Sequence, residues 1–128
     1  SLAYPETRRL VLAVNDNPQA DLRLYEWLAS RGAAVLRAYS TAHALTLLER
    51  VRVHVVISDL GRVEGEVMNK RAGMDLAREI RQRGSDVPMV IFTMDKSVQV
   101  RELARGAGAN YVTEGLEDLY DWLTKMGI

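Results

Sequence analysis

Three polar side chains follow apolar, strand-like segments of this sequence, and their chemistry suits a single site. Each of them stands at or just beyond the end of such a segment: Asp16 after residues 10–14, Asp59 after 53–58 and Thr93 after 88–92. In an open parallel sheet, ligands bind outside the carboxyl ends of the strands, so these side chains are expected to lie together. Carboxylate and hydroxyl oxygens suit Mg²⁺, which usually keeps several waters and a phosphate oxygen. The pattern therefore predicts a site for a hard cation.

Each of the three residues also fits an ordinary structural role. An aspartate after a strand often caps the following helix or loop, as Asp16 and Asp59 would, and Thr93 would then belong to the core. Taken singly, the structural and the functional interpretations are both open. Their joint occurrence at neighbouring strand ends favours the functional one.

The elements that must position these side chains alternate along the chain. Continuous apolar runs predict strands buried on both faces, and apolar residues spaced three and four apart predict helices. The predicted strands cover residues 9–14, 34–38, 53–58, 88–92 and 110–113. The predicted helices are one that starts at Pro18 behind an Asn17 cap, one capped by Ser40 or Thr41, and three over 73–83, 97–106 and 116–126. This alternation predicts one α/β domain of right-handed βαβ units.

One segment, residues 61–72, interrupts the alternation. It holds two glycines and five charged residues and has little periodicity. Connections from strand to helix in such folds usually take ~2–6 residues, and this one is about twice as long. Because it starts beside the proposed site, we predict a long loop that is either functional or simply mobile.

Composition limits the class of protein. At 128 residues the chain has room for one hydrophobic core, and its 17 basic and 17 acidic residues balance to a net charge of zero. That balance gives no reason to expect a polyanionic or membrane partner, and the absence of cysteine excludes disulfides and thiolate metal sites. No apolar run approaches the ~20 residues that a membrane-spanning helix needs. We expect one cytoplasmic domain over residues 1–128, with residues 1–8 as an N-terminal extension or tag remnant.

In four segments, the sequence resembles the receiver domain of bacterial two-component response regulators. These segments are Leu-Ala-Val-Asn-Asp-Asn-Pro at 12–18, Val-Val-Ile-Ser-Asp at 55–59, Val-Pro-Met-Val-Ile-Phe-Thr at 87–93 and Ala-Gly-Ala-Asn-Tyr-Val at 107–112. Their order and spacing match the family over nearly the whole chain. The resemblance implies a flavodoxin-like three-layer α/β sandwich, in which five helices cover a five-stranded parallel sheet of order 2-1-3-4-5.

The resemblance also implies a role for each residue of the site. Asp59 would accept a phosphoryl group from a histidine kinase or phosphotransfer protein, and Asp16, Asp59 and the Gly61 carbonyl would hold Mg²⁺. Thr93 would donate its hydroxyl to a phosphate oxygen. Tyr111 falls on the aromatic switch position, on a partner face formed by the fourth helix, fifth strand and fifth helix. Through that face the domain would contact an output domain, a protein partner or a second copy of itself, and no nucleic acid.

Three departures from the family pattern weaken the implied mechanism. Asn15 stands in place of a second acid, so we expect weak Mg²⁺ binding. Glu114 stands in place of the lysine that pairs with the phosphoryl group, which reverses the charge there. The connection after Asp59 is also longer than the family's. Arg62 or Lys96 is a candidate for the missing cation, although a solvated loop charge is the more ordinary role of either.

Two hypotheses from different classes follow. In the first, the domain is a phosphoacceptor switch that uses Mg²⁺, with impaired or atypical switching. In the second, it is a pseudo-receiver that keeps the fold and binds a protein partner without phosphorylation. An enzyme of the haloacid-dehalogenase type is disfavoured, because that chemistry needs an aspartate two residues after the nucleophile, where this sequence has Gly61. We therefore expect a signalling and interaction module and not an enzyme.

Overall fold

Strands and helices alternate along most of the chain. A computed structural model of the protein describes residues 9–17, 21–95 and 97–128. The predicted extension at residues 1–8, the predicted helix start at Pro18 and the candidate cation Lys96 lie outside the described residues. In chain order the elements are β1 (Leu10–Val14), α1 (Leu22–Ser30), β2 (Ala34–Ala38), α2 (Thr41–Arg50), β3 (Val55–Ser58), β4 (Arg62–Glu64), β5 (Val67–Asn69), α3 (Ala72–Gln82), β6 (Met89–Phe92), α4 (Val98–Ala107), β7 (Tyr111–Thr113) and α5 (Leu116–Lys125).

Five strands form one parallel sheet in the order β2-β1-β3-β6-β7. With the separate β4–β5 pair set aside, this is the predicted order 2-1-3-4-5, and the predicted flavodoxin-like α/β fold is confirmed. The register brings the carboxyl ends of neighbouring strands level: Val14 pairs with Ser58, Ser58 with Ile91, and Phe92 with Thr113. Asp59 therefore leaves the sheet between the ends of β1 and β6.

Side chains of the central strands alternate between two apolar layers. In β3, Val56 packs in the layer formed with α2, α3 and α4, whereas Val55 and Ile57 pack in the layer formed with α1 and α5. All of β3 is buried, so a shift of one residue in register would exchange its two faces. This packing fixes the position of Asp59 at the end of the strand.

The helices are short, and two of them begin behind a serine cap, of which the one at Ser40 was predicted. Ser40 Oγ accepts a hydrogen bond from His43 N at 3.0 Å, and Ser97 Oγ accepts one from Val100 N at 3.1 Å. Among the described residues, the first helix begins at Leu22. Within the same part of the chain, no helix has both the length and the apolar composition that a membrane span requires.

The prediction of a long loop over residues 61–72 is wrong for most of that segment. Strands β4 and β5 pair antiparallel as a hairpin, with a two-residue turn between Glu64 and Val67. Gly65 begins the turn with a φ of 67°, a conformation that glycine adopts without strain. The sequence held a signal for this hairpin, because two short runs that contain valine flank a Gly-X pair.

Candidate functional site at the carboxyl edge of the sheet

Asp59 lies at the end of β3, and its side chain is largely enclosed. Its backbone N–H donates to Val14 O at 3.1 Å, beside the end of β1. Its carboxylate accepts a hydrogen bond from the backbone N–H of Asp16, and 16% of its side chain is exposed. Asp16 is itself exposed, and its Oδ2 accepts a hydrogen bond from Val63 N at 2.7 Å. The structure thus places the two acids at neighbouring strand ends.

A buried arginine lies against Asp59. Arg62, in β4, has no exposed surface and is the only buried charged residue among those that the structure describes. All five of its N–H groups have acceptors. Nη1 donates to Asp59 Oδ1 and Ser58 Oγ, Nη2 donates to Thr41 Oγ1 and Ala72 O, and Nε donates to Glu64 Oε1. Arg62 is therefore the resident cation of the site and not a solvated loop charge.

Glu64 provides Arg62 with a second acid. The Arg62 Nε and Glu64 Oε1 atoms lie 3.1 Å apart. The same carboxylate accepts hydrogen bonds from Thr41 N at 3.1 Å and from Thr41 Oγ1 at 2.5 Å. Thr41 is the first residue of α2, so the positive end of the helix dipole also favours the negative charge. Two acids thus share one guanidinium, and the group of three carries a net negative charge.

Burial is the largest influence on the ionisation of Asp59. The pKa of Asp59 is raised overall from 3.8 to about 6, chiefly because burial removes hydration from the charged form. The Arg62 guanidinium lowers the pKa through its charge and its hydrogen bond, and the Asp16 charge adds a smaller upward effect. At neutral pH Asp59 is therefore mostly ionised, at a cost in free energy that any further positive charge nearby would reduce.

The ends of β6 and β7 border an open cleft of about 680 Å³, which Thr93 and Glu114 help to line. The β6–β7 register places Glu114 level with Thr93, and Thr93 N donates to Thr113 O at 2.9 Å. Thr93 Oγ1 accepts a hydrogen bond from Asp95 N at 3.2 Å, and its own O–H has no acceptor among the described residues. This side of the site has the predicted hydroxyl but no lysine at the end of β7.

Tyr111, at the predicted aromatic switch position, lies at the start of β7 and packs against α5. Its ring stacks on Trp122, with ring centroids 6.0 Å apart, and the tyrosine is half-buried. Trp27 and Tyr120 form a second stack between α1 and α5, with centroids 4.4 Å apart. These rings belong to the apolar layer between the sheet and the α1–α5 face. In this structure Tyr111 helps to dock α5.

The donors for a metal ion are few. Within residues 9–17, 21–95 and 97–128, no three His, Cys, Asp or Glu side chains are grouped so that they could hold one. The Asp16 carboxylate accepts a hydrogen bond from Val63 N, and the Asp59 carboxylate accepts hydrogen bonds from Arg62 and from the backbone N–H of Asp16. Each carboxylate has more lone pairs than these bonds use and suits a hydrated Mg²⁺, which commonly binds through one or two carboxylates. Gly61, the third predicted ligand, directly precedes β4. The carboxylates of Asp16 and Asp59 are therefore oxygen donors that fit a hydrated Mg²⁺.

Local backbone geometry fixes two neighbours of Asp59. Asn15 Oδ1 accepts a hydrogen bond from Asn17 N at 2.7 Å and closes the turn after β1, a role that a carboxylate oxygen would fill equally well. Gly73, in the first turn of α3, lies against the Asp59 carbonyl. A Cβ at position 73 would be 2.3 Å from that oxygen, so only glycine allows α3 to approach this closely.

Sequence reasoning kept Arg62 as a candidate but missed three of its partners. Glu64 had a signal, because residues 62 and 64 of a strand face the same side, opposite to Val63. Ser58 had none, since it ends an otherwise apolar strand. Thr41 comes 21 residues before Arg62 and meets it only through the tertiary fold.

Comparison with known proteins extends these findings. A family model described as "Response regulator receiver domain" matches residues 11–114. The response regulator MprA of Mycobacterium leprae is 28% identical over 100 residues, which are 78% of this chain and 41% of MprA. The transcriptional regulatory protein GlrR of Escherichia coli is 35% identical over 88 residues, which are 69% of this chain and 18% of GlrR. The chain thus spans less than half the length of either relative.

A solved structure shares the fold. The response regulator TrrA of Thermotoga maritima matches with a TM-score of 0.74 over 92% of this chain and 98% of its own, at 24% identity. The likeness therefore covers nearly the whole of both chains.

Proposed function

The chain belongs to the response regulator receiver family, and from this membership we propose that Asp59 is the phosphoacceptor of a two-component signalling domain. One observation carries the proposal, namely the ion pair between Asp59 and the buried Arg62 at the carboxyl edge of the parallel sheet. It places a carboxylate nucleophile beside a fixed positive charge. Phosphoryl transfer depends mainly on such positioning and charge stabilisation.

In the proposed reaction, a carboxylate oxygen of Asp59 attacks the phosphorus atom of the donor. A new P–O bond forms, and the bond to the donor's leaving group breaks, with its electron pair going to that group. Arg62 neutralises part of the charge that arrives on Asp59. Thr93 is proposed to donate its O–H to a phosphate oxygen from the β6 side, since that proton has no acceptor among the described residues.

Magnesium is part of the proposal. The Thermotoga relative was solved in complex with Mg²⁺ and BeF. Here Asp16, Asp59 and the Gly61 carbonyl would hold the ion, and when bound it would neutralise charge on the transferring group. We propose weak binding, because Asn15 replaces an acid and Arg62 already contributes a positive charge at Asp59.

Arg62 is proposed to pair with the phosphoryl group, as the lysine at the end of the family's last strand does. A guanidinium suits this pairing, because its planar fork can donate two parallel hydrogen bonds to a phosphate. Every N–H of Arg62 is already bonded, however, so a phosphoryl group must compete with Glu64, Ser58 and Thr41. We therefore propose slow or incomplete phosphorylation by small donors.

The partners follow from the same proposal. A histidine kinase or a histidine phosphotransfer protein would supply the phosphoryl group. MprA and GlrR extend well beyond the region that this chain matches, which supports action on an output domain or protein partner.

Intact mass spectrometry tests the proposed function. The full chain is incubated with acetyl phosphate, with and without Mg²⁺, and should gain one phosphoryl group slowly and in part, with a smaller gain when Mg²⁺ is omitted. Asp59→Asn should gain none. Equal modification of Asp59→Asn would place the phosphoacceptor elsewhere. If neither acetyl phosphate nor a kinase modifies the wild type while a protein partner still binds, the domain is an interaction module that works without phosphorylation.

A further inference from the structure

The β4–β5 hairpin is held to the domain mainly by polar contacts. Neither apolar layer of the domain contains one of its residues. Val63, Val67 and Met68 point outward, with 48%, 69% and 55% of their surface exposed. The inward side chains of β4 are Arg62 and Glu64, which are buried and half-buried. The position of the hairpin therefore depends on polar contacts: those of Arg62 and Glu64 around Asp59, the hydrogen bond from Val63 N to Asp16, and the hydrogen bond from Asn69 Nδ2 to Asp75.

Arg62 cannot accept a new partner without losing an old one, because all five of its donors are bonded. A phosphoryl group would add three strong acceptor oxygens and a charge of roughly −1.5 to −2. Nη1 already contacts Asp59, so its two neighbours on the guanidinium, Nη2 and Nε, are the groups that can turn toward the phosphate. Those two groups now bind Thr41, Ala72 and Glu64.

We propose that a phosphoryl group on Asp59 draws Arg62 away from Thr41 and Ala72, which lie outside the hairpin at the starts of α2 and α3, and so loosens the β4–β5 hairpin. The loosened hairpin carries the output signal together with the start of α2. This inference rests on the proposed function of Asp59 as phosphoacceptor. Glu64 is in this scheme a positioning residue that holds Arg62 in its resting place. Glu64 keeps its hydrogen bonds from Thr41 N and Oγ1, so it still has donors after Arg62 has turned, and the hairpin and the first turn of α2 loosen together.

Hydrogen–deuterium exchange, read by mass spectrometry before and after treatment with acetyl phosphate and Mg²⁺, tests whether the β4–β5 hairpin loosens. Intact mass measures the phosphorylated fraction in the same samples. In that fraction, we expect amides of residues 62–69 and of the first turn of α2 to exchange about tenfold faster. Residues 98–113 should change less than about twofold. Faster or slower exchange at 98–113 with no change at 62–69 would overturn the inference, because the output would then run through the α4–β7 side.

Variants of Glu64 and Thr41 test, in the unmodified protein, whether the contacts of these residues hold the hairpin in place. Glu64→Gln keeps the shape but removes the charge, and should speed exchange of residues 62–69 by roughly fivefold. Thr41→Val removes the hydroxyl that Arg62 and Glu64 share and should act in the same direction. Glu66→Gln, in the exposed turn of the hairpin, is the matched control and should have no effect.

The two sets of measurements separate the inference from the proposed function. If intact mass detects no phosphorylation but Glu64→Gln and Thr41→Val loosen the hairpin, the phosphoacceptor proposal fails. The polar contacts of Glu64 and Thr41 are then still shown to hold the hairpin. If those variants exchange like Glu66→Gln, the contacts of Glu64 and Thr41 do not hold the hairpin, and the inference fails whether or not Asp59 is phosphorylated.

Discussion

On the β4 side of Asp59, a fully buried arginine donates all five of its N–H groups, whereas on the β7 side Thr93 and Glu114 border an open cleft of about 680 Å³. The first side is closed, dense in hydrogen bonds and supplied with a cation. The second is open and carries an acid. The pattern of the receiver family is the opposite, with a lysine at the position where this sequence has Glu114.

Distance from Asp59 decides whether Arg62 or Glu114 has the stronger electrostatic effect on its carboxylate. Strands β3 and β7 are two positions apart in the sheet, which corresponds to about 10 Å. At an effective dielectric constant of about 20, two unit charges interact by about 1.7 kcal/mol at about 10 Å and by about 4 kcal/mol at about 4 Å. Arg62, in contact with Asp59, therefore outweighs Glu114. An insertion after β3 can supply the positive charge that the end of β7 lacks.

Replacing Arg62 removes the cation from the β4 side of Asp59 and should have the largest effect on stability. Arg62→Met leaves Asp59 and Glu64 as enclosed acids without a cation, and we expect the free energy of unfolding at neutral pH to fall by about 3–5 kcal/mol. Arg78→Met is the control, because Arg78 pairs with Asp75 at the surface with 46% of its side chain exposed, and it should cost less than about 1 kcal/mol. Urea unfolding measures both. Equal losses would mean that the buried network contributes no more than a surface ion pair.

The approach of α3 to Asp59 is the next feature to test. Gly73→Ala places a Cβ 2.3 Å from the Asp59 carbonyl oxygen, so the backbone must move. We expect a loss of about 2–3 kcal/mol in the free energy of unfolding. In α4, on the other side of the site, Gly106→Ala meets nothing within 4 Å and should instead gain about 0.5–1 kcal/mol, since alanine favours the helix. The same sign for both variants would contradict the close packing at Gly73.

The end of β7 can be given the cation that the receiver family has there. Glu114→Lys should raise the initial rate of Asp59 phosphorylation by acetyl phosphate about three- to tenfold, less than the bare charge exchange implies because the cleft is open to solvent and salt. Asp121→Lys makes the same charge change at an exposed position of α5 and serves as the control. Intact mass over time gives both rates. If the two variants behave alike, Glu114 lies too far from the phosphoryl group to matter, and Arg62 and Mg²⁺ supply its counter-charge.

The fold was predictable because its signals are local. Continuous apolar runs marked each strand of the main sheet, and the serines at positions 40 and 97 marked the start of two helices. The β4–β5 hairpin was missed because its strands have three residues each and too few apolar positions to display a period. Its Gly65 turn was the one clear sign.

The candidate site was predictable only in part. Asp16, Asp59 and Thr93 follow from strand ends, which a sequence displays directly. The burial of Arg62 could not be predicted in this way, because it depends on acceptors from four separate segments of the chain. A charged residue in a long connection is usually solvated, and only the tertiary fold reveals the exception.

The smallest expected effect concerns the net charge of the closed side. Asp59→Asn keeps an acceptor oxygen for Arg62 and leaves one acid, Glu64, to balance one guanidinium. Burial raises the pKa of Asp59 to about 6 in the folded state, whereas in the unfolded chain it titrates near its ordinary value of 3.8. Between these values the folded state holds more protons, so the stability of the wild type falls as the pH rises through this window. Asparagine does not titrate and escapes that loss.

We therefore expect Asp59→Asn to be more stable than the wild type at about pH 8, by on the order of 1 kcal/mol, less than the full pKa shift implies because the carboxylate keeps some contact with solvent. The difference should shrink as the pH falls through 6 and vanish near the ordinary pKa of 3.8. Urea unfolding of both proteins across this range measures it, in buffer without Mg²⁺. If Asp59→Asn is instead less stable at high pH, the ion pair with Arg62 outweighs the cost of burying the carboxylate. Asp59 would then stabilise the apo domain as a structural anion, and a phosphoryl group would have to displace a bond that the fold needs.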